Sequence, residues 1–303
     1  TIIVILLRTS SMIFVSSSCV KNERIKDSVL ELATAGFKNI ELSGGTNYYS
    51  EYMHDLLELQ NKYSLQYLLH NYFPPPQEHF MLNLSSLDDV LYQRSINHCK
   101  RAITLCKKLG SKKYGVHAGF LIDFLPSESG KKIGLRRVNR RQDAYSRFAD
   151  AWSILKELAG DDLELYVENN VLSKSNVEVY KQNNPFLFTD YKGWLEFSEK
   201  VDCKLLLDLA HLKVSSTSLE LDFNKQVDRF INLTDYYHIS GNDGLHDQNH
   251  SLAIDNDMLS ILDNYDWSNK TFTIEIYEGI DTLHENFDLL NSKCNSNSNV
   301  KKL

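Results

Sequence analysis

Six apolar runs of this chain carry an ionisable or imidazole side chain at or near their carboxyl ends. His70 follows Leu69, His117 follows Val116, Glu168 follows Val167, Asp208 follows Leu207, His238 follows Tyr237, and Glu275 sits between Ile274 and Ile276. Carboxylates and imidazoles are the groups that hold divalent cations and move protons. If the runs are β-strands, successive residues point to opposite faces, and all six polar residues fall in one phase. A lone histidine at a strand end is more often a hydrogen-bonded structural residue than a ligand. Together the set is harder to explain that way, because Glu168, Asp208 and Glu275 would repel one another and lose hydration without a positive charge between them. A metal cation supplies that charge. The set Glu168, Asp208, His238 and Glu275 has no thiolate, which suits manganese, zinc, cobalt or magnesium better than softer metals.

Further donors lie close by in the sequence. His211 follows Asp208 by three residues in Leu-Asp-Leu-Ala-His, so both could reach the same place from one strand end. The stretch Gly241–His250 adds Asp243, His246, Asp247 and His250, although a polar turn would have the same composition.

Something must bring these residues together. Short apolar runs alternate with longer amphipathic stretches, the pattern of parallel strands joined by crossover helices. Eight strands are expected, at Met12–Ser16, Asn39–Ser43, Leu65–His70, Lys113–His117, Leu163–Glu168, Lys204–Asp208, Tyr236–Ser240 and Phe272–Tyr277. Apolar residues at helical spacing mark helices over Ile25–Ala35, Val90–Leu109, Ala144–Leu158 and Met258–Leu262. Gly36 and Gly110 stand where two of these helices should end in a left-handed cap. Eight strand and helix units predict a (β/α)₈ barrel, whose inward-facing strand residues converge on one mouth at the carboxyl ends. One domain over residues 12–292 accounts for the pattern, with 1–11 as an extension and 293–303 as a flexible tail in a Ser/Asn-rich segment.

Composition agrees with a folded globular protein: 42% hydrophobic and 24% charged residues can bury a large core. A net charge of −7 argues against a protein that coats nucleic acid. Cys19, Cys99, Cys106, Cys203 and Cys294 form no C-x-x-C pair, which points to free thiols in a reducing compartment. Arg8 follows the apolar run Thr1–Leu7 instead of preceding it, the wrong order for a secretory signal, and no run reaches the roughly 20 apolar residues of a membrane span. These features predict a cytoplasmic protein without a membrane partner. A homo-oligomer is compatible with the sequence.

On these residues the chain resembles the xylose isomerase-like TIM-barrel superfamily of sugar and sugar-phosphate isomerases and epimerases, with endonuclease IV as a relative. The resemblance covers nearly the whole chain. It rests on Ala-Gly-Phe-Lys-Asn-Ile-Glu-Leu-Ser at 35–43, Leu-His-Asn-Tyr-Phe at 69–73, Val-His-Ala-Gly at 116–119, Val-Glu-Asn at 167–169, Leu-Asp-Leu-Ala-His at 207–211, Tyr-His-Ile-Ser at 237–240 and Ile-Glu at 274–275. It implies that Glu168, Asp208, His238 and Glu275 hold one catalytic metal, that the two glutamates also move protons, and that His211 holds substrate oxygens. A metal on a carbonyl and its neighbouring hydroxyl acidifies the carbon between them, and a carboxylate beside it can take the proton. His70, His117 and His211 match added ligands of endonuclease IV, which cuts DNA with three zinc ions. That enzyme's last ligand pair is an Asp and a His one residue apart, whereas two residues separate Asp247 from His250. The resemblance therefore supports a second metal bridged by Glu168 better than a third.

Substrate charge and shape have weaker signals. Lys131, Lys132, Arg136, Arg137, Arg140 and Arg141 are six cations within eleven residues ahead of a helix, where they oppose its dipole and suggest an anionic partner or a solvated basic loop. Tyr72, Phe73 and Pro74–Pro76 would form a stiff apolar wall beside His70, suited to a sugar ring or to plain packing. The leading expectation is a metal-dependent isomerase or epimerase of a sugar or sugar phosphate. An endonuclease IV-like zinc phosphodiesterase acting on abasic DNA is the rival, and a ligand-binding barrel without turnover is the third reading.

Overall fold

The computed structural model describes residues 10–296. Eight strands, β1 (Met12–Ser16), β2 (Asn39–Leu42), β3 (Gln66–His70), β4 (Lys113–His117), β5 (Glu164–Glu168), β6 (Lys204–Asp208), β7 (Tyr236–Ile239) and β8 (Thr271–Ile274), close into one barrel in sequence order. Every neighbouring pair is parallel, including β8 with β1 through Phe272 opposite Ile13. The helices are α1 (Ile25–Thr34), α2 (Tyr52–Tyr63), α3 (Asp89–Leu109), α4 (Arg141–Ala159), α5 (Lys174–Tyr180), α6 (Tyr191–Lys200), α7 (Leu209–Ser218), α8 (Phe223–Phe230), α9 (Asn256–Asn264) and α10 (Ile280–Ser296). None of the described helices is long and apolar enough to cross a membrane.

Alternation along each strand sorts its residues between two cores. In β5, Leu165 and Val167 join the large cluster under the helices, while Tyr166 joins Phe14, Leu68, Leu206 and Tyr236 inside the barrel. Burying side chains of this size favours folding by about 1.5–3 kcal/mol each. At the amino end, Lys113 meets Asp235 at 2.8 Å, Glu164 at 3.5 Å and the Tyr166 hydroxyl, forming a polar plug. Above the interior aromatic layer the inward positions become polar. The polar inward residues thus stand at the carboxyl ends because the lower part of the barrel is already filled.

The strands start and stop within a few residues of the expected positions. Glu275 lies just past β8, but its N–H donates to the Ile239 carbonyl at 3.1 Å, so it keeps the strand's phase. Both glycine caps are as expected: Gly36 and Gly110 adopt φ of 99° and 69°. The four helices expected from spacing match α1, α3, α4 and α9; among the others, α2 buries a stripe of Leu56 and Leu59 that its charged residues Glu58 and Lys62 obscure in the sequence.

The expected chain ends need correction where the structure describes them. Residues 293–296, expected to be a flexible tail, continue α10. Cys294 is buried in the core, Lys293 pairs with Asp263 at 2.5 Å, and the Asn295 side chain accepts the Ser11 N–H at 3.1 Å. Ser11, expected in an extension, is buried and donates its hydroxyl to the Trp267 carbonyl at 2.5 Å. The apolar run Thr1–Leu7 and residues 297–303 lie outside the described residues. The five cysteines are free thiols.

One buried histidine of the outer layer gives the fold a pH signature. His98 of α3 is fully buried, its ring centroid 5.7 Å from that of Phe80 in a T-shaped contact, and burial, helped by Arg101, pushes its imidazole down to about 4. The unfolded chain takes up this proton near pH 6.5 and the folded one only near 4, so stability present above pH 6.5 is lost as the pH falls through that window. Urea unfolding at several pH values should therefore show His98→Leu gaining about 3 kcal/mol relative to wild type between pH 6.5 and 4. A pH-independent difference between the two proteins would contradict this account.

Candidate metal centre and substrate cavity

Glu168 is the hub of the barrel mouth. It ends β5 with its side chain fully buried, and three histidines from other strands surround it. His70 of β3 donates Nε2–H to Oε2 at 2.6 Å, and His117 of β4 brings Nε2 to 3.2 Å from the same oxygen. His238 of β7 brings Nδ1 to 3.4 Å from the other oxygen, Oε1. Burial alone would raise the Glu168 carboxyl, but His117, His70 and His238 overcome it and hold the group well below the usual carboxylate range. The same contact raises His70 against the effect of its own burial. His117 goes the other way: burial outweighs Glu168 and pushes its imidazole down to about 4.

Local features aim these side chains. His70 can cross the barrel because residue 115 of β4 is glycine. A Cβ there would lie 2.8 Å from Leu206 Cδ2, closer than real contacts allow, and 3.1 Å from His70 Cδ2, a tight approach that would push the ring aside. Asn169, next to Glu168, clamps β5 to β6: its Oδ1 accepts the Asp208 N–H at 2.8 Å and its Nδ2 donates to the Asp208 carbonyl at 2.9 Å.

Asp208 spends one oxygen on structure. Oδ1 accepts the His211 N–H at 2.7 Å and so caps α7. Oδ2 faces the mouth 3.6 Å from His211 Nε2. His211 gives its Nδ1–H to the Asn169 carbonyl at 2.9 Å, which leaves Nε2 facing Asp208 and, at 3.4 Å, Asp247. Burial, reinforced by Glu168 and Asp247, pushes the Asp208 carboxyl up to about 7, while Asp208 and Asp247 together raise His211 well above the ordinary imidazole value against its burial.

Two buried atoms lack a hydrogen-bond partner at the centre of this arrangement, Glu168 Oε1 and His238 Nδ1. They face each other at 3.4 Å, and Glu275 Oε2 comes within 3.6 Å of the same His238 nitrogen. Unpaired buried polar atoms are costly, and a positive charge here would engage all three. Glu168, Asp208 and His238 each offer a donor atom within 4.8 Å of the others, a spacing that a cation could bridge. The groups His70, His117, Glu168 and Glu41, His70, His238, Glu275 meet the same limit. The donor set is oxygen and imidazole nitrogen throughout, which suits a divalent ion of the manganese, zinc, cobalt or magnesium type. His238 is raised well above the ordinary imidazole value because Glu41, Glu275 and Glu168 outweigh its burial.

Glu41 was not singled out from the sequence. It sits between Ile40 and Leu42 in β2, in the inward phase, so the alternation that identified the other six residues also marks it. Its position one layer below the strand end hid it.

The outer candidates separate. Asp247 reaches the mouth through His211, with its Oδ1 buried and unpaired. His250 instead turns its Nδ1 to Glu278 at 2.7 Å and is partly exposed, and Asp243 and His246 pair with each other at 3.0 Å. Of the basic loop, Arg136 is held by Glu128, Arg140 by Asp143 at 3.6 Å, and Arg141 donates to the Asn184 carbonyl at 3.4 Å. Arg137 has no ion pair among the described residues, and none of the four arginines lines the cavity at the mouth. Lys131 and Lys132 do.

That cavity, of about 230 Å³, lies beside His117 and Asp247 and is walled by Tyr72, Met81, Phe120 and Phe124. The segment after β4 closes over it and is pinned there: Ile133 is buried and its N–H donates to Asn176 Oδ1 at 2.8 Å. The expected wall is divided. Tyr72 lines the cavity, Phe73 is buried in the core, and Pro74–Pro76 border a separate outer groove with Arg94 and Arg101.

Comparisons with known proteins agree with this architecture. A comparison with curated protein sequences finds no match. Among solved structures, a D-tagatose 3-epimerase-like protein superposes with a TM-score of 0.65 at 17% identity, covering 93% of this chain and 99% of that one. A D-allulose 3-epimerase from Methylomonas sp. gives 0.63 at 11% identity, covering 94% and 98%. Endonuclease IV from Thermus thermophilus gives 0.60 at 13% identity, covering 94% and 99%. At such identities the likeness shows the fold. Residues 29–293 match the family described as xylose isomerase-like TIM barrel, and the chain belongs to that family.

Proposed function

We propose that the protein is a divalent-metal-dependent isomerase or epimerase of a small sugar or sugar derivative, with Glu168, Asp208, His238 and Glu275 holding the ion. The observation that carries this reading is the facing pair of unpartnered buried atoms, Glu168 Oε1 and His238 Nδ1, with Glu275 Oε2 beside them. Bound there, a divalent ion would supply the charge that acidifies a carbon between a carbonyl and a hydroxyl. Glu168 and Glu275 would then be the proton carriers. They come from β5 and from the end of β8, and both reach the same imidazole nitrogen, so two carboxylates border one reaction space. His211, with Nδ1–H fixed by the Asn169 carbonyl, would present Nε2 to a substrate oxygen.

The cavity supports a small substrate. Its volume of about 230 Å³ and its aromatic wall suit one sugar ring, and the pinned segment after β4 restricts the approach of a duplex. Lys131 and Lys132 at its edge have no ion pair among the described residues, which favours a sugar bearing phosphate or carboxylate. The arginines expected to bind an anion carry less of this reading, because Glu128, Asp143 and Asn184 engage three of them.

One observation favours a second reading, a phosphodiesterase like endonuclease IV. His70, His117 and Glu168 form a further group with ligand spacing, so Glu168 could bridge two ions. The pairing of His250 with Glu278 weighs against a third ion at Asp247.

Two measurements separate these readings and the non-catalytic one. Zinc or manganese at about one hundred times its Kd should stabilise the metal-free protein by about 2.7 kcal/mol and raise Tm by about 5 °C, with the rise lost in Glu168→Ala. An unchanged Tm would contradict the metal assignment. In heavy water, the metal-loaded protein should exchange the proton beside the carbonyl in a member of a panel of ketoses and their phosphates, and Glu168→Gln or Glu275→Gln should slow exchange by about 10²–10⁴-fold. Nicking of abasic DNA with no sugar exchange would establish the phosphodiesterase reading instead. Neither activity would leave a binding barrel.

A further inference from the structure

His238 has two ring nitrogens in different surroundings, and only one can face an ion with a lone pair. Nδ1 looks into the mouth at Glu168 and Glu275. Nε2 looks down into the barrel at Glu41, 3.1 Å from Oε1 and 3.2 Å from Oε2. Glu41 is fully buried, and its Oε2 also accepts from the hydroxyls of Tyr236 and, at 3.0 Å, Thr273. Both hydroxyl groups are thereby used as donors to a single oxygen. An ionised carboxylate has no hydrogen to give, so at this contact the imidazole must be the donor.

We infer that Glu41 is a positioning residue: it takes the Nε2–H of His238, fixes that tautomer, and leaves Nδ1 free to bind a cation between Glu168 and Glu275. A carboxylate behind a metal-bound imidazole both orients the ring and strengthens its basicity, and losing such a partner commonly weakens metal binding 10–100-fold. Tyr236 and Thr273 hold the carboxylate in place from β7 and β8, so the arrangement belongs to the barrel wall and not to a mobile loop.

The inference rests on the metal reading of the mouth, and its test keeps the two apart. Zinc affinity is measured by chelator competition for wild type, Glu41→Gln and Glu41→Leu, with folding checked by circular dichroism. The nitrogen-15 shifts of His238 are read in the zinc-loaded protein and assigned by their loss in His238→Gln. Glu41→Gln keeps an oxygen that can accept the proton but loses the charge, and should bind zinc about tenfold more weakly with the Nε2–H tautomer retained. Glu41→Leu, which loses the acceptor, should bind about a hundredfold more weakly. If Glu41→Leu does not fold, the Glu41→Gln affinity and the wild-type tautomer decide. Zinc affinities within twofold of wild type in the folded variants, or a proton on Nδ1 in zinc-loaded wild type, would overturn the role of Glu41 and leave the metal reading standing. Failure of wild type to bind zinc or manganese would remove the metal reading and this inference together.

Discussion

The rest of the mouth depends on keeping the Glu168 carboxylate charged while it is completely buried. Removing such a group from water costs several kcal/mol unless opposite charge and hydrogen bonds replace the lost hydration. Here the replacement comes chiefly from His70 and His238, on two different strands, while His117, whose charged form burial disfavours, packs 3.2 Å from the same carboxylate. Closure of the barrel is what brings these strands within reach of one point, and Gly115 provides the clearance that lets His70 enter from β3. Still, the imidazoles leave Oε1 of Glu168 without a hydrogen bond. A site stabilised this far and left open at one atom is suited to a cation that completes it.

The surrounding residues divide between aiming the donors and shaping what reaches them. Asn169 locks the ends of β5 and β6 together, Asp208 caps α7 with one oxygen while offering the other, and the Asn169 carbonyl sets the orientation of His211. Asp208 and His211 are each held by a second contact, which limits their side-chain freedom before any ligand arrives. On the outside, the pinned segment after β4 and the aromatic wall form a bounded cavity instead of an open groove. The same family fold accommodates several chemistries, so it is this combination of paired carboxylates and a small cavity that favours a sugar-sized substrate.

Much of this was legible in the sequence because strand alternation is a geometric rule that long-range packing does not override. It placed Glu168, Asp208, His238 and Glu275 in one phase, and the structure brings them to one mouth. Glu41 obeyed the same rule but lay one layer deeper, where an acidic residue beside a tyrosine of another strand gives no local signal. The loops were less readable. A run of cations says nothing about which partner each will find, and Glu128, Asp143 and Asn184 took up three arginines that could have faced the mouth. Likewise, residues 293–296 read as tail by composition, yet they continue α10, with Cys294 buried and Asn295 in contact with Ser11.

Anomalous diffraction at the manganese edge, from crystals grown with that ion, tests the central claim most directly. The account predicts a strong peak bounded by oxygens of Glu168, Asp208 and Glu275 and by Nδ1 of His238. A peak elsewhere, or ordered side chains at the mouth with none between them under saturating manganese, would contradict it.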